Sequence, residues 1–175
     1  YWAAGAKVGE DIAFQEKEII NGQKTVTKLW NAAQFVTSHL GDKPAKKPTL
    51  ELMDQWLLTK LQQLVQNSTA SFDTYAYWTA KSAVDQFFWH TFCDDYLEIV
   101  KDRLYNPDKR GKAARASAQY TLHTTLLTLL KLFAPLMPYI TEELYMHLFS
   151  KEEKTKSIHL SSWPKADKKK INLKL

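Results

Sequence analysis

"KLWNAAQFV", residues 28–36, is the stretch on which the fold turns. An α-helix advances about 100° per residue. With Lys24 as origin, Leu29, Ala33, Val36 and Leu40 fall between roughly 120° and 180°, Val26 joins them near 200°, and Trp30 flanks the set near 240°. That spacing makes one buried face, with Trp30 packing at its edge. Lys24, Lys28, Asn31, Phe35 and His39 lie within about 60° of the origin, almost opposite. The period predicts an amphipathic helix over residues 15–40 with one anomaly. Phe35 is a large aromatic on the face that should be wet, set among lysines, an amide and a histidine. Two readings follow. Another layer of the protein covers the ring, or the ring stacks on an unpaired base while lysines meet phosphates and amides read base edges.

Outward from this helix the chain continues in the same style. "GDKPAKKP" (41–48) breaks the pattern with two prolines among charges and reads as an exposed connector. Residues 50–72 carry an apolar stripe of Leu50, Met53, Leu57, Leu61, Leu64 and Val65. Residues 74–105 form a long helix whose aromatics, Trp78, Phe87, Phe88, Trp89, Phe92 and Tyr96, are too many for one stripe, so it is contacted on more than one side. "NPDKRGK" (106–112) is a turn. Residues 112–134 are apolar nearly all round after Leu126, which places that helix centrally, and a short helix spans residues 139–149. "SIHLSSWP" (157–164) alternates and reads as extended. No solenoid-length repeat is present. The fold class expected is all-α, an antiparallel helical bundle with a short extended C-terminal segment.

Length and composition agree. With 175 residues the chain is one domain with a substantial core. Its longest apolar stretch, "LLTLLKLFAPLMPYI" (126–140), contains Lys131 and two prolines and is too short to span a bilayer. The single cysteine, Cys93, excludes an internal disulfide and points to a reducing compartment, so a cytoplasmic location is expected. The net charge of +5 permits a polyanionic partner without requiring one. Positive charge gathers at Lys101, Arg103, Lys109, Arg110, Lys112 and Arg115, and again in the tail at Lys165, Lys168, Lys169, Lys170 and Lys174. "YWAAGA" is apolar and lacks a starting methionine, as expected of a piece of something larger.

Catalytic and metal motifs are not evident. The sequence has no glycine-rich phosphate loop, nucleophile elbow or His-Glu-x-x-His. "HTFCDD" brings His90, Cys93 and Asp94 together, but a lone thiol is more often a packed core residue than a ligand. Asp94, Asp95 and Glu98 lie within about a helical turn of Lys101 and Arg103, which reads as ion pairing between side chains. No catalytic residue, metal ligand or cofactor site is assigned to this chain.

At this point the motifs resemble a family. "KLWNAAQFV" resembles the first helix of the anticodon-binding bundle in valyl-tRNA synthetases, members of the branched-chain group of class I. "YWAAGAKVGEDIAFQE", "MDQWLLTKL", "FFWHTFCDDYLEIVKDRLY", "LLKLFAPLMPYITEELY" and "SIHLSSWP" follow that family's order, so the likeness runs from Tyr1 to about Pro164. The stretch of residues 16–24 looks most like archaeal members. The resemblance implies a helical bundle that binds the anticodon stem-loop of tRNA(Val). The parent enzyme would ligate valine to tRNA with ATP and Mg²⁺ on a catalytic domain whose His-Ile-Gly-His-type and Lys-Met-Ser-Lys-Ser-type motifs are not in this chain. It further implies a division into residues 1–14 as the connection from the catalytic domain, 15–150 as the bundle, and 151–175 as an extended segment and basic tail. The expected partners are the tRNA and the catalytic domain in cis, in a monomer without membrane contact. Candidate tRNA-binding residues are Lys24, Lys28, Asn31, Phe35 and His39 on the first helix, with Lys109, Arg110 and Arg115 meeting phosphates. Two alternatives stay open: an isoleucyl or other class I relative, and a helical protein–protein module whose Phe35 patch receives a partner helix.

Overall fold

In the computed structural model the described residues are 1–41 and 47–167. Most of the "GDKPAKKP" connector, and Lys168, Lys169, Lys170 and Lys174 of the basic tail, lie outside them. A 3-10 turn at Ala3–Gly5 precedes α1, Glu16–Leu40. Glu16 and Glu18 in its first turn complement the helix dipole. The next helix, α2, spans Leu52–Asp73 and buries Leu57, Leu61, Leu64 and Val65 at helical spacing, while Met53 is half-buried. No strand occurs among the described residues.

The long aromatic helix departs from the expected form in one respect. It runs as α3, Tyr77–Gln86, then a π-helical stretch, Phe87–Tyr96, then α4, Leu97–Tyr105. The i→i+5 bonding of a π-helix widens each turn, so residues four and five apart share a face. Phe88, Phe92 and Tyr96 therefore align and are each 0% exposed, while Trp89, His90 and Asp94 turn to another side. The many aromatics are divided between a core face and a half-buried outer face.

"NPDKRGK" contains a short helix, α5, Pro107–Arg110, with proline at its first position where the missing N–H costs nothing. Gly111 then takes φ +90°, a left-handed turn that favours glycine, and α6 follows over Lys112–Phe133. Leu122, Leu126, Leu129, Leu130, Leu132 and Phe133 are all 0% exposed, and α6 packs on α1 to α5 as well as on α7, Pro138–Leu148. Its central place is as expected from its all-round apolar pattern. A last short helix, α8, covers Ser150–Glu153. In "SIHLSSWP" the backbone is extended at Ser157 and Ser161, but Ile158–Leu160 between them form a 3-10 turn that buries Ile158. Glu142 of α7 holds this turn by accepting from Ser157 Oγ at 3.0 Å and from the Ile158 amide at 2.9 Å. The chain then lies along α2, where Trp163 Nε1 donates to Thr69 Oγ1 at 2.9 Å and the Asp167 amide to Gln62 Oε1 at 2.8 Å.

A buried polar knot ties four elements together. Asp54 of α2 is 0% exposed and accepts from Arg103 Nη1 and Nη2 of α4, both at 2.7 Å. Tyr96 of the π-helix and Ser117 of α6 also donate to it. The Ser117 hydroxyl in turn accepts the Glu51 amide at 3.0 Å. Burial raises the Tyr96 phenol well above its ordinary value, with the Asp54 charge adding to the shift, so it stays a neutral donor. Burial works against the Arg103 charge, but the Asp54 hydrogen bonds and charge outweigh it and leave the guanidinium firmly protonated. This corrects the reading of Arg103 as part of a surface basic run facing Asp94, Asp95 and Glu98. Of that set, Lys101 pairs with Glu98 at 2.6 Å, while Arg103 points inward. An unpaired carboxylate at Asp54 would be costly, and the arginine fork is the group that satisfies both oxygens.

Candidate nucleic-acid interface

The surface of α1 follows the wheel with a rotation. Gly22, Thr25, Leu29, Ala32, Ala33 and Val36 are buried, an arc from roughly 80° to 180° on the same origin. It is shifted toward Lys28, Phe35 and His39, all three half-buried, and away from Trp30, which is 39% exposed rather than packed. The reason is a row of aromatics from elsewhere along that edge. Tyr1 sits against Gly22, where an added Cβ would come 3.1 Å from its ring. Its hydroxyl donates to Asp85 of α3 at 2.6 Å, and Lys81 lies 4.1 Å over its ring. Trp89 of the π-helix faces Lys28, and Tyr105 at the end of α4 faces His39.

Between α1 and the π-helix lies a groove of about 410 Å³. Lys24, Lys28 and Asn31 line it from α1 together with Gln23 and Thr27, and Trp89 forms the opposite wall. Lys24 and Asn31 are exposed. The Lys28 ammonium lies 5.3 Å from the Trp89 ring centre and 3.9 Å from Asp94 Oδ1. His90 Nδ1 is 3.1 Å from the other oxygen of Asp94. Two amides, two ammonium groups and an indole face thus share one concave strip. Such a strip can bind phosphates, hydrogen-bond base edges and stack an unpaired base.

One turn further along α1 the aromatic row continues. The Phe35 and His39 rings are 4.6 Å apart, and His39 meets Tyr105 edge-on at 4.9 Å. Phe35 also packs against the core, while Tyr105 is 60% exposed. Phe35 is therefore both a packing residue and a surface one. The backbone of His39 is fixed by Gln119, whose side-chain amide donates to its carbonyl at 2.7 Å. Tyr105 leads directly into α5, where Lys109 and Arg110 are exposed. Arg110 pairs with Asp102, donating from Nε at 2.5 Å. With a second bond from Asn106 this holds the Asp102 carboxyl below its ordinary value. Arg115 at the start of α6 is half-buried with its Nε enclosed, so it offers less to a phosphate than Lys109 does.

The structure thus gathers Lys24, Lys28 and Asn31 in one groove, puts Phe35 and His39 beside it, and sets Lys109, Arg110 and Arg115 beyond Tyr105. Trp89, Asp94 and Tyr105 are the residues that sequence reasoning did not place there. The surplus of aromatics in residues 78–96 was the one visible signal, and it did not say which ring faced outward. Cys93 is buried, and burial, only partly opposed by the nearby Lys28 charge, pushes its thiol up to about 12. It is a packed thiol, not a nucleophile. Among the described residues no helix is long and apolar enough to cross a membrane.

Comparison with known proteins gives a consistent result. The family described as "Anticodon-binding domain of tRNA ligase" matches residues 54–175. A Valine--tRNA ligase of Anaplasma marginale (strain St. Maries) is 44% identical over 177 residues, covering 100% of this chain and 20% of that protein. A Valine--tRNA ligase of Rickettsia felis is 43% identical over 91% of this chain, and one of Ehrlichia ruminantium (strain Gardel) 42% identical over 94%. The chain spans about a fifth of the length of these relatives. Among solved structures, the ternary complex of Agrobacterium radiobacter K84 agnB2 LeuRS with tRNA and LeuAMS matches 98% of this chain and 20% of that one, at a TM-score of 0.58 and 14% identity. At that identity the likeness speaks for the helical fold alone.

Proposed function

The chain belongs to the family of anticodon-binding domains of tRNA ligases, and from that premise we propose that it is the anticodon-reading part of a valine–tRNA ligase. The observation that carries this reading is the 44% identity to a Valine--tRNA ligase along the whole chain. The parent enzyme joins valine to tRNA(Val) in the cytoplasm, spending ATP with Mg²⁺ in a catalytic part that this chain does not contain. Residues 1–14 connect to that part, residues 15–150 form the reading bundle, and residues 151–175 are the C-terminal segment and basic tail. The bundle acts as a monomer, and its partner in cis is the catalytic domain.

On this reading Lys24, Lys28, Asn31, Phe35 and His39 meet the unpaired bases and their backbone, and Lys109, Arg110 and Arg115 meet flanking phosphates. Affinity comes from charge and stacking, and discrimination from the groups that face base edges.

The test is a titration of the 175-residue chain with stem-loops carrying valine or isoleucine anticodons across a range of salt. Binding is expected to favour the valine anticodon and to weaken steeply, with a log–log slope of about −0.7 per neutralised phosphate. Tighter binding of the isoleucine stem-loop would reassign the chain to another class I branch. Binding of neither, with salt-insensitive docking of an amphipathic helix, would instead make this face a protein–protein module.

A further inference from the structure

Trp89 lines the α1 groove, and Asp94, from the same π-helical stretch Phe87–Tyr96, lies beside it at 3.9 Å from Lys28 with His90 against its other oxygen. π-helical turns are rare and are found frequently at functional sites. Here the wider turn leaves Phe88, Phe92 and Tyr96 in the core and presents an indole, an imidazole and a carboxylate outward from the same stretch. The outward groups are weakly committed. The Lys28 and Asp94 side chains are 38% and 52% exposed at 3.9 Å, and exposed ion pairs of this kind contribute little. Lys28 also rests over the Trp89 face. Both contacts can be exchanged for a ligand at small cost: the ring for a base, the ammonium for a phosphate.

We propose that Trp89 and Asp94 form, with Lys28 and Asn31, a pocket for one unpaired base that bears an exocyclic amino group. The inference rests on the reading of this face as an anticodon interface and names a specificity element within it. The base stacks on Trp89, and its amino group donates to Asp94. Lys28 leaves the ring and meets the adjoining phosphate, and Asn31 completes the base edge from across the groove. A carboxylate accepts from the amino group of cytosine or adenine and repels the carbonyl that uracil or hypoxanthine presents in its place. His90, at 3.1 Å, holds the carboxylate in position.

The experiment uses the full 175-residue chain and anticodon stem-loops changed one loop base at a time, cytosine to uracil or adenine to hypoxanthine. The wild-type chain is expected to lose about tenfold in affinity at one loop position. Asp94→Asn should abolish that preference, since an amide both donates and accepts, whereas Asp95→Asn removes the same charge next door and should keep it. Trp89→Ala should weaken every stem-loop on the order of tenfold and Trp89→Phe much less. If the chain binds stem-loops but Asp94→Asn leaves the preference intact, or no loop position prefers an amino group, the pocket is wrong and the anticodon reading stands. If the wild-type chain binds no stem-loop, the anticodon reading itself falls.

Discussion

Asp54 and Asp94 each face a cation, Arg103 and Lys28, yet one locks the bundle and the other lies open. Asp54 is 0% exposed, and its oxygens accept from Arg103, Tyr96 and Ser117. Nothing is left over for a ligand. Asp94 is half in water, with His90 against one oxygen and Lys28 loosely beside the other. The residue types alone are nearly the same. Position relative to the core decides whether such a group spends its bonding capacity on the fold or keeps it for a partner. Arg103 and Lys28 repeat the contrast, as do Tyr96 and Trp89.

The largest effect is expected at the buried carboxylate. Asp54→Ala leaves Arg103 buried without its partner, and loss of one member of such a pair costs about 3–5 kcal/mol. Urea unfolding should show a drop of that size. A loss below about 1 kcal/mol would mean that the knot does not tie the bundle as described.

Phe35 tests the border between the two ends. A fully buried phenylalanine cut to alanine costs about 3–5 kcal/mol, and a half-buried one should cost about half that. Phe35→Ala should therefore lower stability by about 1.5–2.5 kcal/mol and also weaken stem-loop binding. Full core cost with unchanged binding would make Phe35 a packing residue only. Unchanged stability would return it to the purely wet face that the wheel suggested.

Much of the bundle was legible because apolar spacing reports local geometry. Leu57, Leu61, Leu64 and Val65 on α2 repeat at helical intervals, and the all-round apolar run of α6 can only be central. The candidate interface was legible in part. Lys24, Lys28 and Asn31 share a face by arithmetic on a single helix, and the structure keeps them together. Trp89 and Tyr105 reach that face from a segment far along the chain, and periodicity carries no information about which distant element arrives there. The same limit hid the pairing of Arg103 with Asp54. Lys101 and Arg103 look alike in sequence, but only one lies above a buried carboxylate. The π-helical turns were invisible for a different reason. The shift from i+4 to i+5 bonding leaves composition unchanged and alters only which aromatics look outward.

The most direct test is to map where an anticodon stem-loop touches the chain, by amide chemical-shift perturbation on the 175-residue protein. The largest changes are expected on Lys24, Lys28, Asn31, Trp89 and Asp94, extending through Phe35 and Tyr105 to Lys109. Changes confined instead to α7, or to the Trp163 segment along α2, would contradict this interface.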